Sequence, residues 1–279
     1  GAAPTAESPV TTALRIDTTK TIRCASFVAG ALSGEELVRT YVFESAPTIP
    51  AVFLTTDPKS LFDPDSGLFM KGNFPDGKVP EKGANYWQDK EIPVVVELME
   101  KDAAAPSFVK LAGLQVYGNY SRIKSEKSVA ITFREKYGDK RLNYALFPDY
   151  PEQHKYKSFI LRNFGNNFGM DYVRDRLGSS IGDDLGLDSR HGRYAVVYYN
   201  GEYYGIQDLR ERSNEYYFET RYGMNPDDID LLDADNSVSA GSAVDYETLI
   251  DWLESHNLAD DENYAYVASQ IDIDNYLNY

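Results

Sequence analysis

The sequence has few of the residues that form metal sites and disulfides. Its 279 residues include one cysteine, Cys24, and three histidines, His154, His191 and His256. A single cysteine excludes an internal disulfide, and no two histidines have the short spacing of a zinc motif. We therefore predict no disulfide and no metal site.

Long apolar runs and basic charge are also scarce. No apolar run approaches the roughly 18 residues that span a membrane, and no charged-then-apolar leader comes before Gly1. The 28 basic and 44 acidic residues give a net charge of −16, which repels phosphate backbones. We predict no transmembrane span in this chain and no nucleic-acid partner.

Short strand-like runs make up the first part of the chain, residues 1–44. They are too few to form a stable sandwich by themselves. A proline-containing joint at 45–50 then leads into a new apolar run at 51–55. These features predict a partial β-sandwich-like segment over 1–44 and a second domain over 45–279.

The second domain contains patterns of both strands and helices. Apolar alternation predicts strands at 93–98, 113–117, 128–133 and 158–162, and Asn200-Gly201 predicts a tight hairpin within 196–206. Turn signals over 57–92 indicate a long, partly ordered excursion. Helical spacing appears at 170–185, at 213–222 and in three further segments that begin near Ser242, Asp260 and Asp272. We predict an α+β fold in which helices follow an antiparallel sheet.

The last predicted helix begins well but has no stop signal. Asp272 is a good N-cap, yet no glycine, proline or basic last turn precedes Tyr279. We therefore expect the chain to be a truncated piece that ends within a helix. Such a piece is expected to expose an apolar face near Tyr276 and Leu277.

A series of motifs in the second domain resembles the CotH (spore coat protein H) kinase family, in the family's order. The motifs are Gly118-Asn-Tyr-Ser-Arg122, Lys127 to Phe133, Phe159 to Asn163, Tyr172 to Asp175, and Tyr199 to Ile206 followed by Leu209 to Arg212. The first 44 residues more weakly resemble the tail of a small β-sandwich found beside chitobiase-like enzymes. Together the two parts resemble exported bacterial surface proteins.

The resemblance implies a kinase-like small lobe and the transfer of the γ-phosphoryl group of ATP to protein serine or threonine, with ATP and Mg²⁺ as cofactors of the parent. It makes Lys127 the nucleotide-phosphate lysine, assisted by Arg122, with Asp175 as a partner of Lys127 and Glu211 at the hinge. The alternative interpretations are structural. Lys127 would be an exposed strand-end lysine, Arg122 would form a structural salt bridge, Asp175 would be a solvated surface residue, and Glu211 would be a hydrogen-bonded strand end.

Two positions depart from the family pattern. Glu126 stands where relatives have a lysine, and Asn166-Asn167 follow the strand where relatives have an acidic residue. Both changes remove charge that phosphoryl transfer would use, because catalysis of that reaction depends on cations at the phosphates and carboxylates at Mg²⁺.

The resulting expectation is a fragment of an exported CotH-like kinase at a bacterial cell surface or in the periplasm. The family's Asn-x-Asp-Trp and Trp-Asp-x-Asp motifs would follow Tyr279, so we assign no catalytic residue, no tightly bound cofactor and no phosphotransfer to this chain alone. The alternative is a non-catalytic surface module that binds glycan or protein, favoured by Asn166-Asn167, by Glu126 and by aromatic pairs such as Tyr86-Trp87.

Overall fold

The computed structural model describes residues 2–43, 48–74 and 79–279, so the first half of the predicted joint at 45–50 lies outside the described residues. Its strands are β1 Lys20–Cys24, β2 Phe27–Val28, β3 Ala31–Leu32, β4 Leu37–Tyr41, β5 Ala51–Thr55, β6 Ile92–Met99, β7 Phe108–Tyr117, β8 Ser128–Thr132, β9 Leu142–Asn143, β10 Lys155–Tyr156, β11 Ser158–Arg162, β12 Gly192–Tyr199, β13 Glu202–Glu211, β14 Leu231–Leu232 and β15 Val238–Ala240. The α-helices are α1 Pro58–Phe62, α2 Arg174–Asp184, α3 Glu215–Tyr222, α4 Val244–Ser255, α5 Asp261–Gln270 and α6 Ile273–Asn278.

Seven strands form a closed barrel in the order β11-β13-β12-β5-β6-β7-β8. Closure occurs because β11 pairs with β13 on one side and with β8 on the other. Neighbouring strands run antiparallel except β12 and β5, which pair in parallel from Val196–Ala51 to Tyr199–Leu54. The barrel therefore joins segments that are far apart along the chain.

The interior of the barrel explains the alternation in the sequence. Alternate residues over 94–98 of β6, 112–116 of β7 and 129–131 of β8 point inward and are at most 1% exposed: Val94, Val96, Leu98, Ala112, Leu114, Val116, Val129 and Ile131. Burying one such aliphatic side chain contributes about 1.5–3 kcal/mol. The hydrophobic core is thus the inside of the barrel.

The predicted α+β class is correct, but the predicted kinase-like small lobe is wrong. A sheet closed into a seven-stranded barrel is not the sheet of such a lobe. Strands β5 and β6, which precede the matching motifs, and β11, which pairs with both β8 and β13, complete the ring. Strand positions were predictable from alternation, whereas their pairing into a closed ring was not.

The described parts of residues 57–92 cover one region of the barrel core. Asp57 caps α1 by accepting a hydrogen bond from the Lys59 backbone N–H, and Leu61 inserts into the core. Leu68 and Tyr86 belong to the same buried cluster. This segment is therefore more ordered than the turn signals indicated, because its apolar residues are irregularly spaced yet still buried.

The hairpin at Asn200-Gly201 is confirmed between β12 and β13. Both residues have positive φ angles, 52° and 87°, which a tight hairpin turn requires. A Cβ on Gly201 would lie 2.9 Å from the backbone nitrogen of Thr21, so the turn also contacts β1. Glycine is needed here for both reasons.

The N-terminal segment forms two small sheets, β1 with β4 and β2 with β3. The larger hairpin contacts the outer face of the barrel, where Thr40 donates to Glu97 from its backbone nitrogen at 3.2 Å and from its hydroxyl at 2.7 Å. Burial raises the pKa of Glu97, and the two bonds from Thr40 oppose that rise. The sandwich-like resemblance and the boundary near residue 44 stay predictions.

Helix α2 confirms the helix predicted at 170–185, but its apolar side chains face outward. Val173, Leu177, Ile181 and Leu185 follow one another at four-residue intervals, and each is about half exposed or more. The face toward the barrel carries Asp175 and Arg176 instead. The side chains of Tyr276 and Leu277 are exposed as well. None of the helices in the described ranges has the length and apolar character needed to cross a membrane.

Candidate functional site

Lys127 comes immediately before β8, and its backbone is held on both sides. The Lys127 N–H donates to the Tyr204 hydroxyl at 2.6 Å, and its carbonyl accepts from Gln207 Nε2 at 3.0 Å. Its ammonium donates to the Lys124 carbonyl at 2.5 Å and lies 4.2 Å from the centre of the Tyr86 ring. The side chain is only 4% exposed, so it is not the solvated strand-end lysine of the alternative interpretation.

The charge of Lys127 is poorly compensated. Burial lowers its pKa to about 8, and the carboxylate of Glu81 only partly offsets this. In the part of the chain that the structure describes, no ion pair joins Lys127 to a carboxylate. An aromatic face attracts a cation, but far less than an anion in direct contact would. Lys127 is therefore a desolvated cation that an anionic ligand would stabilise.

Arg122 contacts the same Tyr86-Trp87 segment as Lys127 and ties the loop after β7 to that segment. Its Nε donates to the Gly118 carbonyl at 2.6 Å, and its Nη1 donates to the Trp87 carbonyl at 3.1 Å. The guanidinium carbon is 5.6 Å from the Trp87 ring centre. Burial lowers the pKa of Arg122, opposed by the charge of Asp89. The structure thus brings together two predicted residues and an aromatic pair that the sequence had suggested for another role.

Asn163 is a positioning residue that the sequence analysis had quoted only as part of a motif. It is fully buried, and its Nδ2 donates to the Glu126 carbonyl at 2.6 Å. Its Oδ1 pairs with the Ser128 hydroxyl at 2.7 Å and accepts from the Gly165 N–H at 3.0 Å. Asn163 therefore fixes the backbone on both sides of Lys127 to the end of β11.

Asp175 has partners other than Lys127. From the first turn of α2 its Oδ2 lies 2.7 Å from Arg162 Nε and 3.6 Å from Arg210 Nη1. No ion pair to Lys127 occurs among the described residues. The partner residues come from β11 and β13, which meet under α2, and sequence spacing gave no sign of that contact.

The same cluster contains Asp208, which is fully buried. Its Oδ2 is 3.3 Å from Arg210 Nε, but neither carboxylate oxygen has a hydrogen bond within the described part of the chain. Burial raises the pKa of Asp208, and Arg210 is the main opposing charge. A Cβ on Gly192 would lie 2.8 Å from Asp208 Oδ1, so the absence of a side chain there makes room for this carboxylate.

Glu211 ends β13 and is enclosed by the protein. It accepts from the His191 N–H at 2.7 Å and pairs with Arg221 Nη2 at 2.7 Å. Burial raises the pKa of Glu211, and the bond from Arg221 opposes the rise. The carboxylate is therefore already satisfied, in keeping with the structural interpretation of this position.

The strand register separates Lys127 from Glu211. Ser128 begins β8, whereas Ile131 of β8 pairs with Phe159, which in turn pairs with Glu211. Four residues from Lys127 to Ile131 correspond to about 13 Å along a strand. The structure therefore brings Arg122 and Lys127 together and places Asp175 and Glu211 in separate networks.

A polar cleft lies beside the Glu211 end of β13, and the sequence analysis missed it. Its volume is about 380 Å³, and its walls include Arg134, Lys157 and Arg212. These residues follow or precede three different strands, so no spacing in the sequence would bring them together. Within the described ranges, no three His, Cys, Asp or Glu side chains are placed to hold a metal ion.

These features define an α+β protein whose barrel holds a desolvated lysine beneath an aromatic cover. The model of the family described as CotH kinase protein matches residues 114–279, which is more than half of the chain. The chain belongs to the CotH kinase protein family. A search among curated proteins gave no match.

Proposed function

We propose that this chain supplies nucleotide-phosphate binding in an exported bacterial protein of the CotH family that transfers the γ-phosphoryl group of ATP to protein serine or threonine. The observation that carries the proposal is the family match over 114–279, because that segment contains all four residues assigned from the sequence. Export to the cell surface or periplasm rests on the resemblance to surface proteins alone.

The environment of Lys127 supports a role in binding phosphate. A buried ammonium with no carboxylate partner loses hydration without gaining a counter-ion, so contact with a phosphate oxygen lowers its free energy. Arg122 contacts the same Tyr86-Trp87 segment and can add a second cation, although it already donates to the carbonyl groups of Gly118, Tyr86 and Trp87. The pair therefore suits the phosphates of a nucleotide.

We further propose that these 279 residues bind nucleotide without transferring phosphate. Phosphoryl transfer needs carboxylates that hold Mg²⁺ and a base that orients the acceptor. Both carboxylates among the residues assigned from the sequence are already paired with arginines. Asp175 forms ion pairs with Arg162 and Arg210, and Glu211 forms one with Arg221. An arginine-paired carboxylate would have to leave its partner before it could bind Mg²⁺.

Calorimetric titration of the chain with Mg-ATP tests the binding proposal. We expect saturable binding that Lys127→Ala weakens about tenfold or more and that Lys127→Arg partly retains, since a charged hydrogen bond contributes about 1.5–3 kcal/mol. Lys101→Ala is the matched control, because Lys101 is an exposed lysine in a turn. Equal affinities of the Lys127→Ala and Lys101→Ala variants for Mg-ATP would contradict the proposal.

A γ-phosphoryl transfer assay with protein acceptors tests the second part. We expect the 279-residue chain to show no more turnover than its Lys127→Ala variant. Turnover that clearly exceeds the variant would show that this chain is catalytically complete, and it would leave the binding proposal standing.

The glycan-binding alternative gains no support from Tyr86 and Trp87. Tyr86 is 5% exposed, and the two rings contact the cations of Lys127 and Arg122. Stacking on a sugar needs an exposed aromatic face, which the buried Tyr86 ring does not offer, and the Arg122 guanidinium lies over the half-buried Trp87 ring.

A further inference from the structure

The cleft beside α3 combines unpaired cations with free hydrogen-bond donors. It lies between the ends of β8 and β11 on one side and the segment from Arg212 to Tyr216 on the other. Its lining is mainly polar, and it is separate from Lys127, which lies five residues or about 16 Å along the strand from Thr132 at the cleft. Nothing in the proposed role of Lys127 depends on this cleft.

Three basic side chains line the cleft in a chain whose net charge is −16. Arg134 pairs with Glu91 at 2.8 Å, but Lys157 and Arg212 have no ion pair in the described part of the chain. Lys157 lies 5.5 Å from the Tyr216 ring centre, and Arg212 lies 5.9 Å from that of Tyr117. Two cations are thus held in place by aromatic rings without a counter-ion.

Lys157 is also surrounded by charge of its own sign. Burial lowers its pKa, the charges of Arg141 and Arg134 lower it further, and Glu219 and Glu91 oppose this from beyond ion-pair distance. One carboxylate, Glu215, lines the cleft, so the cations of its walls outnumber the anions by three to one. The charged side chains on the walls of the cleft are therefore predominantly basic.

Neutral donors face the same space. Thr132 and Ser158 are each 6% exposed and border the cleft, and neither hydroxyl has a hydrogen-bond partner among the described residues. Asn214 is the N-cap of α3, yet its side chain makes no capping hydrogen bond. The first N–H groups of α3 are thus free of a side-chain cap at the edge of the cleft, and helix N-termini favour anions.

We propose that this cleft is a binding site for a phosphate group, either as inorganic phosphate or as part of a small phosphorylated molecule. The guanidinium of Arg212 offers a planar fork of donors, and the ammonium of Lys157 supplies a point charge. The Thr132 and Ser158 hydroxyls complete a set of donors for a tetrahedral oxyanion. The predominantly polar lining favours a compact, highly polar group over an apolar ligand.

Titration of the full 279-residue chain with inorganic phosphate at low ionic strength tests the proposal. We expect Lys157→Gln and Arg212→Gln each to weaken phosphate binding about tenfold, since each removes a charged hydrogen bond. Lys157→Arg keeps the charge and should retain most of the affinity, which separates loss of binding from misfolding. Lys101→Gln is the matched control and should bind like the unmodified chain.

Two further measurements complete the test. Citrate binding that equals phosphate binding and is lost in the same variants would overturn the assignment to phosphate. Unchanged phosphate affinity in Lys157→Gln and Arg212→Gln, or loss of phosphate binding in Lys127→Ala alone, would overturn the site. Loss of Mg-ATP binding in Lys127→Ala with intact phosphate binding at the cleft is the result expected if both proposals hold.

Discussion

Lys127 makes the free energy of unfolding depend on pH in a defined window. Its pKa falls from the ordinary lysine value of 10.5 to about 8 in the folded chain because burial disfavours the ammonium. Unfolding therefore takes up a proton between about pH 8 and pH 10.5, so this residue's contribution to stability increases as pH rises through that range and is lost as pH falls through about 8.

The prediction is that the unmodified chain gains stability relative to Lys127→Met as pH rises from 8 to 10.5. Urea denaturation at several pH values measures the difference, and the comparison cancels the titration of groups that both chains share. A difference that stays constant across this range would show that Lys127 is not desolvated.

Lys127 also predicts a pH dependence of ligand binding with the opposite sign. The neutral amine cannot attract a phosphate, so Mg-ATP affinity should fall as pH rises through about 8 in the unmodified chain. The Lys127→Arg variant should keep its affinity, because guanidinium stays protonated. Titrations at pH 7 and pH 9 distinguish the two, and parallel losses in both chains would contradict the assignment.

Asp208 should be among the positions most sensitive to substitution. It is fully buried beside Arg210, and replacing it by Asn leaves a buried guanidinium without its nearest carboxylate. We expect Asp208→Asn to lower the free energy of unfolding by about 3 kcal/mol. Asp184→Asn is the control, since Asp184 is exposed at the end of α2. Adding Arg210→Met to Asp208→Asn should recover part of the loss in a double-mutant cycle.

At the scale of elements, α2 shows that apolar periodicity can predict a helix without predicting which face of the helix is buried. The apolar spacing from Val173 to Leu185 predicted a helix, and the helix is present. Such spacing is typical of a helix that buries its apolar face, whereas the face of α2 on the barrel is charged. Local sequence fixes backbone conformation through short-range contacts, but the buried face depends on what β11 and β13 present, and that information lies elsewhere in the chain.

This inverted arrangement predicts an unusual pair of mutational effects. Leu177→Ala should change the free energy of unfolding by less than about 0.5 kcal/mol, because Leu177 is 59% exposed and alanine favours helix. Asp175→Ala should lower it by about 1–3 kcal/mol, because buried Arg210 loses a partner. Thermal or urea unfolding measures the free energy of unfolding of both variants, whose substitutions lie in the same helix. A larger loss for Leu177→Ala would mean that this face is covered.

The candidate site was predictable only where its parts are close in sequence. Arg122 and Lys127 are five residues apart, and the structure places both against the Tyr86-Trp87 segment. Lys157 and Arg212 meet only because β11 and β13 pair, and no motif joins them. Strand segments were predictable for the same local reason, and closure of the barrel was not, because it depends on long-range pairing of β5 with β12.

At the scale of the whole molecule, Thr40 and Glu97 connect the N-terminal hairpin to the barrel. Thr40→Val keeps the shape but removes the hydroxyl that donates to buried Glu97. We expect faster amide hydrogen exchange over residues 20–41 and little change in the barrel strands, since a bond to a charged acceptor contributes about 1.5–3 kcal/mol. Thr19→Val is the control, because it removes only an exposed hydrogen bond that the Thr19 hydroxyl accepts from the Phe43 N–H. Unchanged exchange in β1 and β4 would show that other contacts hold the hairpin.

The closed barrel and the segment that matches the family do not have the same boundaries. The segment that matches the family begins at residue 114, inside β7, and leaves out β5 and β6. A protein cut at that point would keep β12 without its parallel partner and only a stub of β7 beside β8. Both would become open edges able to recruit strands from other molecules, so such a fragment would tend to aggregate. The unit of sequence similarity in this chain is thus smaller than the unit that must fold together.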